Sequence, residues 1–481
     1  MAEFDLAVIG AGAAGLSVTA VAAQLGLRVV LIERDRMGGD CLNTGCVPSK
    51  ALLAAAHAAR AARAAHALGL RIGEPEIDWA AVQAHVHGVI AAIAPMDSVA
   101  RFTALGAEVL HGAARFAAPD TLAVALPEGA RRLTARRIVI AAGGRAAIPA
   151  LPGLGAVGFL THATIFTVTP RPAHLLILGG GPIGLEMAQA HAALGCRVTL
   201  VQRRAIAPHD DPELADGLRQ ALLADGVALL EHTTVAAVEP GPTLVLADGR
   251  RIAGSHLLVA TGRTPNLEDL DLAAGGVQAT ARGIATDAGL RSLSNRRVFA
   301  AGDIADPQRG TPGNTGPRHF THVGSYHAGI VVRRALFRLP AKLDYAALPR
   351  VTYTDPELAQ VGMTEAEARA AGHTRLRILR WPLADNDRAQ AERRTDGLVK
   401  IVATAKGRVL GAGILAPHAG EMVGAWTLAI SQRIGLATLA GMIVPYPTRA
   451  EAARRAAGGF FTARLFSAAT RRLVRWLARL P

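Results

Sequence analysis

Asp5-Leu6-Ala7-Val8-Ile9-Gly10-Ala11-Gly12-Ala13-Ala14-Gly15 is the stretch that decides the fold. Its first five residues read as a buried strand that runs directly into a glycine turn, after which Leu16 to Leu25 has helical character. Gly10 lets the chain turn, Gly12 lets the backbone approach a pyrophosphate at the helix N-terminus, and Gly15 lets helix and strand pack closely. Glu33 closes the next strand, Arg28-Val29-Val30-Leu31-Ile32, at the distance where a carboxylate accepts a ribose hydroxyl. Strand, turn, helix, strand and acid in this order make a dinucleotide-binding unit.

The logic occurs a second time. Leu175-Leu176-Ile177-Leu178 leads into Gly179-Gly180-Gly181-Pro182-Ile183-Gly184 and a helix from Leu185 to Leu194, so the chain carries two nucleotide sites. The next strand, Arg197-Val198-Thr199-Leu200-Val201, ends at Gln202, Arg203 and Arg204, where an NAD-preferring unit offers a carboxylate. Without the acid there is no repulsion of a 2′-phosphate, and an arginine can pair with one; NADPH is favoured, with NADH a weaker partner. The competing reading makes Arg203 and Arg204 solvated loop charges.

Between these units lies Gly38-Gly39-Asp40-Cys41-Leu42-Asn43-Thr44-Gly45-Cys46-Val47-Pro48-Ser49-Lys50, which holds two of the three cysteines. Pro48 and Ser49 suggest a helix start, and the Ala-rich run to Leu68 is built of helix formers. A cysteine at that end gains from the positive pole of the helix dipole, which lowers its pKa. Cys41 is close enough along the chain to form a disulfide with Cys46. No secretory signal is read at the N-terminus, and a reducing compartment would keep an ordinary pair reduced, so the two sulfurs read as reagents rather than as an incidental buried pair. Cys196 precedes a strand and reads as a core residue.

These elements resemble, in order and over nearly the whole length, the flavoprotein disulfide reductases of the dihydrolipoamide dehydrogenase, glutathione reductase and mercuric reductase group, the class I pyridine nucleotide-disulfide oxidoreductases. Besides the two glycine turns and the cysteine segment, the resemblance is carried by Ala141-Ala142-Gly143-Gly144, Glu186, Ala260-Thr261-Gly262-Arg263-Thr264-Pro265-Asn266, Ala301-Gly302-Asp303 and Tyr353-Thr354-Asp355-Pro356-Glu357. It implies an α/β fold with two Rossmann-like domains, for FAD and NAD(P), and a C-terminal α+β dimerisation domain. It implies that Gly10, Gly12, Gly15, Glu33 and Asp303 serve FAD, that Gly179, Gly181, Gly184 and Arg203 serve the nicotinamide nucleotide, and that Gly143 and Gly262 are cofactor-binding. Cys46 would be the flavin-facing sulfur, Cys41 the exchanging one, and Lys50 would pair with Glu186 beside the flavin. Boundaries follow: FAD-binding sequence at 1–149, the nicotinamide domain at 150–281, a return to the FAD domain at 282–342, dimerisation at 343–459 and a basic amphipathic helix at 460–481.

One departure stands out. Where dihydrolipoamide dehydrogenases and glutathione reductases carry His-Pro-Thr and a following Glu, supplied across the dimer as acid and base, this chain reads Pro445-Tyr446-Pro447-Thr448-Arg449-Ala450-Glu451. A phenol titrating near pH 10 is a poor base at neutral pH. Mercuric reductases are similar in having the tyrosine, which in them helps hold the metal, but they also carry a C-terminal cysteine pair; here no cysteine follows Cys196. Tyr446 and Glu451 are therefore catalytic candidates in a mercuric-reductase-like relative with a different or simpler acceptor. His319, His322 and His327 lie where one could replace the missing base, and their spacing does not suggest zinc.

The 481 residues carry a formal net charge of +14, unevenly spread. After Thr448 stand Arg449, Arg454, Arg455, Arg464, Arg471, Arg472, Arg475 and Arg479 against Glu451 alone. On one helix Leu465, Phe466, Ala469, Leu473, Trp476, Leu477 and Leu480 would share a face opposite the arginines, as an interfacial membrane helix does, too short and charged to span. The alternative packs that face on the protein's own dimer. No nucleic-acid motif accompanies the arginines. Two function classes result. One is a cytoplasmic oxidoreductase, in contact with the inner membrane face through this tail, that passes electrons to a small-molecule or protein disulfide, a metal ion or a quinone. The other is a membrane-associated redox sensor or partner-binding flavoprotein with little turnover.

Overall fold

The computed structural model describes residues 2–308 and 319–481; residues 309–318 of the 282–342 segment lie outside the described residues. Phe4–Ile9 lies between Val29–Glu33 and Gly129–Ile140 in a parallel arrangement, extended by Ala107–His111 on one side and by Val298–Ala300 on the other. Gly129–Ile140 is long enough to serve twice, pairing antiparallel through its first half with Thr121–Leu126, which pairs in turn with Ala113–Ala118. The parallel strands are apolar on both faces because helices cover both. Leu6, Val8, Val29 and Leu31 face a core with Leu16 and Val18 of the first helix, while Ala7, Ile9, Val30 and Ile32 face a second core with Phe116, Leu122 and Leu133.

A four-stranded parallel sheet, Ala228–Leu230, Arg197–Val201, His174–Leu178 and His256–Val259, forms the second unit. A five-stranded antiparallel sheet with Val409–Ala416 at its centre forms the third, covered by Ala419–Ser431 and Ala450–Leu465 around the buried Trp426. This is the expected α/β fold with an α+β C-terminal part. A buried charged joint ties the second unit to the third. Lys400 Nζ lies 2.9 Å from carboxylate oxygens of both Asp211 and Glu213.

Several elements begin earlier than the sequence suggests. The first helix is Ala13–Gln24 and the matching helix of the second unit is Pro182–Ala193. The third of these corrections bears on chemistry: the helix expected to start at Pro48 and Ser49 is Cys46–Ala64, capped by Gly45. At Gly45 an added Cβ would meet the Asp40 carbonyl oxygen at 2.9 Å, so close approach of backbone to backbone sets this start.

The single amphipathic helix expected over 460–481 is also corrected. Ala450–Leu465 crosses that boundary, the chain breaks at Phe466 and Ser467, and Ala468–Leu477 begins afresh with Ser467 Oγ accepting from Thr470 N–H at 3.2 Å. A serine in this position competes with helix continuation by capping the next helix instead. Along the final helix Leu473, Val474, Trp476 and Leu477 are all exposed.

Candidate active site

The strands of both parallel sheets end at one cavity of about 1980 Å³, which both glycine turns and both cysteines line. At Gly10 (φ +102°) and Gly15 an added Cβ would meet backbone oxygen at 2.4 and 1.9 Å, and at Gly179 (φ +113°) and Gly184 at 2.3 and 1.9 Å. These four glycines let strand, turn and helix pack. At Gly12 and Gly181 a Cβ would meet nothing within 4 Å, so each turn presents open backbone at a helix N-terminus, a cradle that fits a pyrophosphate. Glu33 accepts from Ala11 N–H at 2.6 Å, which holds its carboxylate beside the first turn. No carboxylate ends the corresponding second strand. Gln202 Oε1 accepts from Gly180 N–H at 3.3 Å, and the exposed Arg203 and Arg204 line the cavity. The donor sets fit two dinucleotides, FAD in the first unit and a nicotinamide nucleotide in the second.

Between the two cradles lie the sulfurs, held as free thiols. Cys46 is the first residue of its helix, and Thr321, the first residue of Thr321–Val331, has its Oγ1 3.3 Å from Cys46 Sγ. Hydrogen bonding from Cys41, then from Thr321, with the nearby Lys50 ammonium, outweighs burial and lowers the Cys46 thiol to about 6. Cys41 moves the opposite way: donating to Cys46, being buried and facing that charge raise its pKa far above the usual thiol range. Of the two, Cys46 is the more acidic and Cys41 the one that keeps its proton more strongly.

Lys50 Nζ meets Glu186 Oε2 at 2.7 Å. The pair joins the helix that bears Cys46 to the helix behind the second glycine turn, as the resemblance implies. Tyr353 completes the cluster in two ways: its backbone N–H donates to Glu186 Oε1 at 3.0 Å, and its ring lies 4.3 Å from Lys50 Nζ. Burial opposes the charge on Lys50, but Glu186 more than compensates, and the ammonium titrates above its ordinary value.

Asp303 and Gly262 line the cavity with a residue that the sequence alone did not single out. Arg263 donates to Asp303 Oδ2 at 2.8 Å and to the Gly144 carbonyl at 2.8 Å, and it also pairs with Asp40, the neighbour of Cys41. His162 Nε2 lies 3.5 Å from the same Asp40 carboxylate. Burial would raise Asp40, yet His162 and Arg263 hold it down at about 2. Asp40 and Arg263 each belong to a motif legible in the sequence. Nothing in the chain spacing said that they meet.

Two of the histidines and the third cysteine have structural places. His327 is buried, accepting from Gly302 N–H at 3.1 Å through Nδ1 and lying 2.6 Å from Tyr345 Oη through Nε2. His322 Nε2 reaches the Pro349 carbonyl oxygen at 3.0 Å and its ring stacks on Phe320. Both are occupied in structure rather than poised as bases. Cys196 is a core residue with its thiol pushed up to about 11 by burial.

Tyr446 and Glu451 do not reach the cavity of their own chain. The Tyr446 hydroxyl donates to Asp387 at 2.8 Å, a contact that raises its pKa, and the phenol is largely exposed. Glu451 is buried and accepts from Arg454 and Arg455.

The family described as pyridine nucleotide-disulphide oxidoreductase matches residues 4–328, and its dimerisation domain matches 348–457. Mercuric reductase of Streptomyces lividans is 38% identical over 468 residues, covering 95% of this chain and 96% of that protein. Dihydrolipoyl dehydrogenase 3 of Pseudomonas aeruginosa is 33% identical over 95% of this chain and 98% of its own length. Among solved structures, the HOCl-induced flavoprotein disulfide reductase RclA of Escherichia coli superimposes with a TM-score of 0.83 at 25% identity, over 95% of this chain and 99% of that one. A Cu(II) complex of RclA gives 0.82 with the same coverage.

Proposed function

The chain belongs to the pyridine nucleotide-disulphide oxidoreductase family, and from that premise we propose an NADPH-driven reductase whose acceptor is a soft metal ion. It is an NAD(P)H-dependent FAD oxidoreductase that works through a disulfide, and its dimerisation domain makes it a homodimer. Bound FAD would supply the two-electron relay between the nicotinamide and the disulfide.

The observation that carries the finer assignment is the opposed acidity of the two sulfurs. Opening a Cys41–Cys46 disulfide with a hydride equivalent delivers two electrons and one proton, and the site stores these products separately: thiolate at Cys46, proton at Cys41. Lys50, held by Glu186, stabilises the thiolate. Arg203 takes the 2′-phosphate of NADPH, Glu33 the FAD ribose and Asp303 the ribityl chain. Gly143 and Gly262 complete the walls.

For the acceptor, Tyr446 decides. It is poor as a base for thiol-disulfide exchange and good as an oxygen donor near two sulfurs, and the partner subunit supplies it together with Glu451. A thiophilic cation would then be shared between the sulfurs of one chain and the phenol of the other. Mercury is the named acceptor of one relative and copper is bound in one neighbour, which supports this class. The domain limits proposed with this reading are 1–149 and 282–342 for FAD, 150–281 for the nicotinamide nucleotide and 343–459 for the dimer. The two C-terminal helices extend past residue 457, where the family match ends. Their apolar face and arginines suit an anionic bilayer, which supports a reading with the enzyme held at the cytoplasmic face of a membrane. Among the described residues no helix is long and apolar enough to cross one.

An anaerobic acceptor screen on FAD-loaded dimer tests the assignment. NADPH oxidation should be supported by Hg(II) or Cu(II) far better than by lipoamide or glutathione disulfide, and Cys41→Ser should abolish it. Faster turnover of either disulfide than of the metals would overturn the acceptor class.

A further inference from the structure

A second cavity, of about 290 Å³, is lined by Arg137, Arg291, Arg296, Arg334 and Arg338. It lies beside the start of Val298–Ala300, a strand whose other end leads to the cofactor cleft. The parallel strands Gly129–Ile140 and Val298–Ala300 lead toward Ala141 and Asp303 at the cleft, whereas Arg137 precedes the point where Ile138 N–H meets the Arg297 carbonyl, just before the second of those strands. No step in the reductase reaction uses these arginines.

Three of them are half-buried and fixed. Arg137 Nε donates to the Ala335 carbonyl at 3.0 Å, Arg291 Nε to the Arg296 carbonyl at 2.6 Å, and Arg334 to Asp287 at 3.0 Å, while the Arg291 guanidinium lies 5.9 Å from the Phe299 ring centroid. A guanidinium has five N–H donors, so each anchor orients a fork whose other donors remain to be aimed. Arg296 and Arg338 are exposed and form the rim. Asp287 is the acid that the described residues pair with this group, which leaves a large excess of positive charge. Burial first, and the neighbouring guanidiniums after it, press Arg137 and Arg291 below their ordinary values, with Asp287 opposing the shift at Arg291.

The backbone around Arg334 is shaped for this convergence. The helix widens at its end, where Phe337 N–H bonds the Val332 carbonyl five residues back at 3.3 Å, and such widened turns recur at functional sites. Arg338 then takes φ +56°, an unfavourable region for a side-chain-bearing residue.

We propose that this pocket binds an oligophosphate, a linear di- or triphosphate group, as an anion site separate from the nucleotide cradles. Multiple guanidinium forks match several phosphate oxygens at once, and a single monovalent anion would leave most of the repulsion in place.

Titration calorimetry of the FAD-loaded dimer with sodium tripolyphosphate, ATP and orthophosphate, at constant ionic strength, tests this. One tripolyphosphate per chain should bind, much more tightly than orthophosphate. Arg296→Gln with Arg338→Gln changes only the exposed rim and should weaken it by about 100-fold, roughly tenfold for each guanidinium–phosphate hydrogen bond removed. Arg203→Ala with Arg204→Ala should leave this binding unchanged. ATP equal to tripolyphosphate shows that only phosphates are read; tighter ATP shows that a nucleotide is the source. Unchanged affinity in the rim variant, orthophosphate binding as well as tripolyphosphate, or loss of binding in the Arg203/Arg204 variant would overturn the proposal.

Discussion

Replacing Lys50 by Met tests how the site makes its thiolate. Lys50 lies one helical turn beyond Cys46, and positions four apart on a helix bring their Cβ atoms within about 6 Å. A unit charge at that distance contributes roughly 3 kcal/mol at an effective dielectric constant of about 20. The Lys50 side chain is 37% exposed, and solvent screening about halves this, to roughly 1.4 kcal/mol or about one pH unit. The charged form of a thiol is the deprotonated one, so removing the cation must raise the midpoint, from about 6 in the native protein toward about 7. The two-electron-reduced protein should show a long-wavelength thiolate-to-flavin absorption whose amplitude, followed anaerobically from pH 5 to 9, reports that midpoint. Adding Glu186→Gln to Lys50→Met removes a nearby anion as well and should bring the midpoint part of the way back. A midpoint that stays or falls in Lys50→Met would refute the electrostatic account. Cys41→Ala should raise it further than Lys50→Met does, because the hydrogen bond from Cys41 is the larger influence on Cys46.

Arg203→Ala with Arg204→Ala should raise KM for NADPH strongly and leave that for NADH nearly unchanged, each charged hydrogen bond to phosphate being worth roughly 1.5–3 kcal/mol; steady-state kinetics with both nucleotides checks this, and equal effects would remove Arg203 from the assignment. Tyr446→Phe should slow metal-dependent NADPH oxidation at least tenfold while leaving the thiolate absorption intact, since Cys41, Thr321 and Lys50, which lower the Cys46 thiol, are all kept; a changed absorption would make the tyrosine part of the thiolate's own environment rather than a donor to the acceptor. Gly15→Ala should cost FAD binding, read from the flavin-to-protein absorbance ratio, because its Cβ would fall 1.9 Å from the Gly10 carbonyl oxygen. Ending the chain at Phe466 should preserve NADPH-to-flavin reduction and abolish sedimentation with anionic vesicles, each arginine near such a surface contributing about 1 kcal/mol; loss of the dimer instead would assign the final helix to the protein's own interface.

What could be read from the chain was what is local. The strand, turn, helix and acid around Gly10 and Glu33 are neighbours in sequence because a crossover unit is built from neighbours, and the structure keeps them in that order. Helix starts were harder. Gly45 has no side chain with which to announce a cap, and the capping serine at 467 was hidden inside a run that reads as one amphipathic helix. The resemblance carried the Lys50–Glu186 pair, 136 residues apart in the chain, which periodicity alone could not.

The contacts that tune the site are of this last kind. Asp40 beside Cys41 finds Arg263, 223 residues on, and Arg263 in turn holds Asp303, so the short helix bearing Cys41 and the loop bearing Asp303 share one guanidinium. Thr321 meets Cys46 across 275 residues, and it does so as the first residue of its own helix. Cys46 thus stands at the N-termini of two helices at once, and both dipoles favour the thiolate. From sequence, only the helix that Cys46 itself begins could be credited with lowering its pKa. The second helix, the thiol of Cys41 and the ammonium of Lys50 act together with it, and for that reason no single substitution among them should return Cys46 to the acidity of an ordinary thiol.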